Sequence, residues 1–323
     1  MYEFATAIGL DIGRTMIRSA IVRYGGEILF DYTSTFEKIP DKDELIKMVN
    51  SVILKLRAEA ASQKLNPLCI GIAAKGFIDY RRGIIIGPDQ GIKGWTDIHL
   101  SEILSRQNGL PVFIDNDANL MAIAEHYNGA ARGFNNAVFV ALRSGIGGAI
   151  IIDGKLYRGA NNAGGEIGQM IIDISPGHTG KEIKGSLEKY ASSDALVNDY
   201  IKKSDSKGIV MKKPVTSLRA RDIFDLSYKG DKIAMQVVRD NAGYIGAGLA
   251  SLVSVFAPDI IVLGGGMSMA KDDYLHMIIN STNANSLEFC RKDVKIVRAK
   301  LGFHSSLQGA GIYALTRLDG KYI

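Results

Sequence analysis

Apolar positions in this chain come in short runs, and the runs repeat at a larger interval. The stretch "TAIGLDIGRTMIRSAIVRYGGEILFDY" (6–32) reads as strand, glycine turn, strand, tight turn at Gly25-Gly26, strand. The stretch "NAVFVALRSGIGGAIIIDGKLYRG" (136–159) reads the same way, with Asp153-Gly154 as its hairpin turn. A helix and a further strand follow each copy. In the first they are "KDELIKMVNSVILKLRAEAASQ" and "PLCIGIAAKG"; in the second, Ala242 to Phe256 and "DIIVLGGG". Two hairpin pairs, each followed by a helix and a parallel strand, predict a duplicated α/β architecture with a cleft between the halves, where a ligand belongs. The closing "SSLQGAGIYALTRL" has helical spacing and is expected to return and pack on the first half. Between these segments, "AGGEIGQMIIDISPGHTGKEIKGSLEKYASSDALVNDYIKK" moves from glycine-rich loops into helix.

Composition narrows this picture only a little. At 323 residues, with 46% apolar and 23% charged residues, the chain suits two globular domains rather than a disordered one. Its net charge of +5 gathers loosely around 201–222, a region without interleaved aromatics that reads as a solvated face rather than a nucleic-acid surface. The low-charge segment 242–266 is divided by Pro258 and Asp259 into a helix of roughly 16 residues and a short strand, both below membrane-spanning length. Two cysteines, Cys69 and Cys290, suggest neither a disulfide framework nor a thiolate metal site, and the N-terminus lacks the pattern of a secretion signal. A cytoplasmic protein is expected.

Chemistry is concentrated in "FIDNDANLMAIAEHY" (113–127), where an apolar strand ends in Asp115, Asn116, Asp117 and Asn119 before a helical pattern starts. Position six of the calcium-loop template is Leu120 and position twelve His126, which argues against an EF-hand. An N-cap needs one such residue, so the surplus polar groups leave a cap and a site as competing readings. Four glycine clusters also follow strands: "DIGRT", "RSGIGG", "AGGEIG" and "LGGGMS". Glycines let backbone N–H groups converge on phosphate oxygens, although tight hairpins need them too. The P-loop, the dinucleotide fingerprint, the G-x-S-x-G elbow and H-E-x-x-H are all missing, and the five histidines are scattered.

Taken together, "DIGRT", "GIAAKGFID", Gly94-Trp95, "NDAN" with Glu125 downstream, "SGIGGAIIIDGKLYRGANNAGGEIGQM", "GSLEKYAS" and "IVLGGG" resemble the ROK family of sugar kinases and sugar-sensing repressors, nearly end to end. The resemblance implies a duplicated actin-like (ribonuclease H-like) α/β fold of two domains with a central cleft. The expected domains are 1–116 plus 307–323, and 117–306. It implies ATP-dependent phosphorylation of a hexose or N-acetylhexosamine hydroxyl, with Asp117 as catalytic base. Gly76, Asn116, Glu166, Gln169 and Glu188 match sugar-binding positions. Gly13, Arg14, Thr15, Ser144, Gly145 and Gly147 match the two phosphate turns, and Gly264, Gly265 and Gly266 the turn beside the adenosine. Asp11 matches the aspartate that organises Mg²⁺ through water. A homodimer is also implied, with neither nucleic acid nor membrane as partner.

Several positions depart from the family pattern. Gln169, Thr179, Lys181 and Ser186 stand where the family has the histidine and three cysteines of a structural zinc site, so no zinc is expected, His178 notwithstanding. Arg14 and Arg143 replace glycines of the phosphate turns, and Lys75 replaces a proline before Gly76. The altered loops keep open a second reading, a catalytically weak sugar sensor. A DNA-binding repressor is disfavoured because the first strand starts within about five residues of Met1, too close for a helix-turn-helix.

Overall fold

A computed structural model describes residues 4–13, 15–87, 91–175, 183–209 and 214–320. One five-stranded sheet has the order β3-β2-β1-β4-β7, built from β1 (Thr6–Ile12), β2 (Met16–Arg23), β3 (Ile28–Thr35), β4 (Pro67–Ala74) and β7 (Val112–Asn116). A two-residue pair, β5 (Ile78–Asp79) and β6 (Ile84–Ile85), lies between them in sequence. The second five-stranded sheet repeats the order as β10-β9-β8-β11-β12, from β8 (Ala137–Leu142), β9 (Ile146–Ile152), β10 (Lys155–Tyr157), β11 (Ile260–Gly264) and β12 (Lys295–Arg298). In both, the strand after the hairpins runs parallel to the first strand, as the repeat predicts.

Helices α1 (Lys42–Ser62), α2 (Leu100–Asn108), α3 (Asp117–Asn128) and α10 (Ser305–Leu318) accompany the first sheet. The second has α4 (Leu187–Ala191), α5 (Ser193–Ser206), α6 (Ala220–Tyr228), α7 (Lys232–Phe256), α8 (Asp272–Ala284) and α9 (Glu288–Arg291). Helix α1 starts at a capping box: Asp41 accepts from the Asp43 and Glu44 amides at 3.0 Å each, and Glu44 reaches back to the Asp41 amide. Its buried face, Leu45, Val49, Val52, Ile53, Leu56 and Ala60, packs with Ile8, Leu10, Ile70, Ile72, Trp95 and Ile114. Helix α7 begins ten residues earlier than its low-charge stretch suggests. Asp231 caps it, and Ile233, Val237 and Val238 continue the buried stripe while Arg239 stays outside it. It ends at Phe256, with Ala257 as its C-cap ahead of Pro258, and its apolar stripe forms one core with Val138, Val140, Ile261, Leu263 and Ile278. Among the described residues no helix is long and apolar enough to cross a membrane.

By their contacts the residues divide into two compact units: Met1–Asn135, Ile150–Gly164 and Lys300–Ile323 in one, Asn136–Ala149 and Gly165–Ala299 in the other. The divisions expected at 116/117 and 306/307 thus fall within the first unit, because α3 and α10 are locked together there. Glu125 on α3, fully buried, accepts from the amides of Ala130 at 2.8 Å, Lys300 at 3.1 Å and Leu301 at 2.8 Å. Helix α10 also covers the sheet, with Ala314 and Leu315 on Ala7 and Cys69, and Leu307 on Ala20 and Val22. Gly309 makes the α3–α10 approach possible, since a Cβ there would collide with the Leu120 carbonyl of α3. Gly309→Ala is expected to lower stability by about 1–3 kcal/mol through overpacking, read from the midpoint of urea denaturation.

Candidate active site

In the first unit, the parallel register brings the predicted residues to one end of the sheet. Ile12 pairs with Ala74 and Ala74 with Asn116, so the chain leaves β1, β4 and β7 at the same level. Gly13, Lys75-Gly76 and Asp117 follow directly. Asn116 is the N-cap of α3: its Oδ1 accepts from the Ala118 amide at 2.9 Å, and its Nδ2 donates to the Gly76 carbonyl at 3.1 Å. The cap reading of "DNDAN" falls on Asn116. Asn116 caps, and Asp117 opens the first turn, where its Oδ1 accepts from the Ala118 amide at 3.0 Å. A helix N-terminus favours negative charge, so a carboxylate is electrostatically at home there.

Asp115 stands immediately before this pair and is almost completely buried. One of its oxygens accepts from the Asn116 amide at 2.7 Å and from Asn119 Nδ2 at 2.9 Å. The other accepts from Arg158 through Nη2 at 2.6 Å and Nε at 3.1 Å. The Arg158 guanidinium lies over the Tyr80 ring, 4.2 Å from its centroid. Arg158 was not among the expected site residues: 43 positions separate it from Asp115, and no local pattern links the two.

Asp11, at the expected place near the end of β1, is paired across the hairpin with Arg18. Its Oδ2 accepts from both the Arg18 guanidinium and the Ser306 hydroxyl of α10, at 2.6 Å for the latter. Arg18 also donates to the Phe303 carbonyl and lies 4.1 Å from the centroid of the Phe303 ring. Both of these donors fall on Oδ2. Arg14 lies outside the described residues.

The second unit gathers its own set. Gly264 pairs with Ala141, so the turn after β8 (143–145) and Gly264–Gly266 emerge from the same end of the second sheet. The turn is closed by the Arg143 amide on the Gly145 carbonyl at 2.9 Å, and tied to α5 by the Ser193 amide on the Arg143 carbonyl at 2.8 Å. Ser144 is exposed. Glu188, on α4, accepts from the Ile146 amide through Oε2 at 2.8 Å. The same oxygen occupies the space that a side chain at Gly145 would need. Gly147 lies in the strand that follows, and Glu166 and Gln169 are exposed around the 3-10 turn Ile167–Gln169.

Of the four positions matched to zinc ligands, Gln169 and Ser186 are described, whereas Thr179 and Lys181, with nearby His178, lie outside the described residues. An amide and a buried hydroxyl do not suit zinc, which takes thiolate, imidazole or carboxylate. Among the described residues no group of three or more His, Cys, Asp or Glu is arranged to hold a metal ion.

Residues 7–317 match the profile of the ROK family. The chain belongs to the ROK family. A glucokinase from Halalkalibacterium halodurans is 29% identical over 311 residues, 94% of this chain and 93% of its own length. A putative xylose repressor from a Caldicellulosiruptor species is 32% identical over 275 residues, 83% of this chain and 67% of its own. Among solved structures, a ROK family glucokinase from Streptomyces griseus, in complex with glucose and AMPPNP, superposes with a TM-score of 0.81 at 28% identity, covering 97% of this chain and 100% of that one. The duplicated actin-like α/β fold expected of a ROK protein is the fold observed. ROK relatives of both kinds, kinase and repressor, align over most of the chain, so membership alone leaves the reaction open.

Proposed function

We propose that this ROK protein is an ATP-dependent sugar kinase acting on a hydroxyl of a hexose or N-acetylhexosamine. The observation that carries the reading is the turn after β7, where Asn116 is spent on capping α3 and holding Gly76, while Asp117 is presented in the first helical turn. A sugar hydroxyl is a poor nucleophile near neutral pH. In this reading Asp117 accepts its proton as the hydroxyl oxygen bonds to the γ-phosphorus, a contribution of roughly 10²- to 10⁴-fold. Gly76, Asn116, Glu166, Gln169 and Glu188 are assigned to the sugar by their match to the family's sugar-binding positions. The turns at Gly13–Thr15 and Ser144–Gly147 are assigned to phosphates through their backbone donors, and Gly264–Gly266 to the nucleoside end of ATP. Asp11 would hold hydrated Mg²⁺, which when bound neutralises charge on the β- and γ-phosphates. The AMPPNP bound by the S. griseus glucokinase supports ATP as the phosphate donor.

A second reading, a sugar-binding sensor with weak or no turnover, is favoured by one observation: the Asp11 carboxylate is already ion-paired with Arg18. An internal guanidinium lowers the local need for a divalent cation. The experiment that separates the readings is ADP release with Mg-ATP across neutral, N-acetylated and acidic sugars, run beside calorimetric titration of the same panel. Turnover on at least one sugar is expected. Heat of binding without ADP on any of them would overturn the kinase reading in favour of the sensor.

A further inference from the structure

Glu188 is carried by α4, a helix of only five residues whose N-cap, Ser186, makes no side-chain capping bond. So short a helix has no stability of its own, and its orientation must come from outside. The segment before the undescribed residues 176–182 supplies part of it. Ile171 and Ser186 form an isolated antiparallel bridge, the Leu187 amide donates to the Met170 carbonyl at 2.8 Å, and the Ile172 and Asp173 amides donate to the Gly185 carbonyl at 2.9 and 3.2 Å. Gly185 has φ +82° and lies so close to the Asp173 carbonyl that no side chain fits.

Beyond this backbone pairing, side chains also tie α4: Asn241 Nδ2 of α7 donates to the Ala191 carbonyl at 3.1 Å, and a second tie comes from Tyr190, the penultimate residue of α4. The Tyr190 hydroxyl donates to Asp173 Oδ2, while Oδ1 accepts from the Ser175 amide at 2.8 Å. Edge-on packing against Tyr244 of α7, with centroids 4.9 Å apart, holds the phenol ring in place. The bond to Asp173 pushes the Tyr190 phenol up to about 12 and holds the Asp173 carboxyl below the usual carboxylate range, so donor and acceptor keep these roles across the neutral range. At the other end of the short helix, Glu188 receives the Ile146 amide of the glycine turn.

We propose that Asp173 and Tyr190 form a positioning clasp for Glu188, setting α4 so that the Glu188 carboxylate meets the Ile146 N–H at the start of β9 and orders the 143–145 turn. The consequence for sugar and phosphate recognition rests on the kinase reading; the clasp itself does not.

Hydrogen exchange at the Ile146 amide, measured by NMR on the full chain without sugar or nucleotide, tests the clasp. Tyr190→Phe keeps the ring and its contact with Tyr244 and removes only the hydroxyl. It is expected to speed Ile146 exchange at least about tenfold, as loss of a bond to a charged acceptor implies. Asp173→Ala should do the same, whereas Asp173→Asn, which retains an acceptor oxygen, should leave exchange within about threefold of the parent. Faster exchange confined to 185–191 would reduce the pair to a local brace and overturn the proposal, as would no change at all. Treating the unmutated protein with EDTA should leave Ile146 protected. If EDTA reproduced the Tyr190→Phe effect, a bound metal rather than the clasp would be holding α4. No step of this measurement depends on turnover, so a failed kinase assay and a failed clasp are separate results.

Discussion

Asp117→Asn is expected to reduce ADP formation by about 10²- to 10⁴-fold while changing sugar affinity by no more than a few fold. Asparagine keeps an oxygen that can accept from the Ala118 amide, as Asp117 Oδ1 does at 3.0 Å, so the first turn of α3 should survive. Asn116 still caps the helix, and its bond to the Gly76 carbonyl is untouched. What disappears is the negative charge and the ability to take a proton. Replacing a charged residue in the first helical turn costs only about 0.3–1 kcal/mol, too little to unfold the chain. The decisive comparison is between rate and binding: steady-state ADP release gives one, calorimetric titration the other. Parallel losses in both would make Asp117 a sugar ligand rather than the base, and an undiminished rate would remove it from the chemistry.

A second large effect is expected at Asp115, two positions before Asp117, and it concerns stability. Arg158→Met should destabilise the fold by about 3–5 kcal/mol, because it strips the partner from a buried carboxylate. Side-chain exposure is 10% for Arg158 and 3% for Asp115, so solvent cannot replace the lost guanidinium. The Asn116 amide and Asn119 would still serve one Asp115 oxygen, leaving the other bare. Methionine retains much of the arginine stem and can rest against Tyr80, which isolates the charge from the packing. Urea denaturation of Arg158→Met, Asp115→Asn and the double variant measures the coupling. The double variant should be more stable than Arg158→Met alone, since a neutral amide tolerates burial better than an unpaired charge. A simple sum of the single effects would show that the pair is not the source of the loss.

What could be read from the sequence was whatever depends on local order along the chain. Alternating apolar runs broken at Gly25-Gly26 and Asp153-Gly154 foretell two hairpins, and their recurrence foretells the two sheets of matching strand order. The helix start at "DNDAN" was legible as well, since capping is a property of adjacent residues. Even the division of labour there needed the tertiary structure: that Asn116 caps while also holding Gly76, 40 positions away, is settled by the register of β4 against β7. The same holds for the extent of the first unit. Nothing in 117–135 marks it as a partner of the C-terminal segment until Glu125 is seen collecting the amides of Lys300 and Leu301, just ahead of α10. Arg158 with Asp115, Arg18 with Ser306, and Tyr190 with Asp173 are likewise pairs made by folding, and only the last lies within 20 residues. Periodicity and turn chemistry act over a few residues and so are written in the sequence. Which buried charge finds which partner depends on strand register and helix docking, distances that the chain acquires only when the core closes.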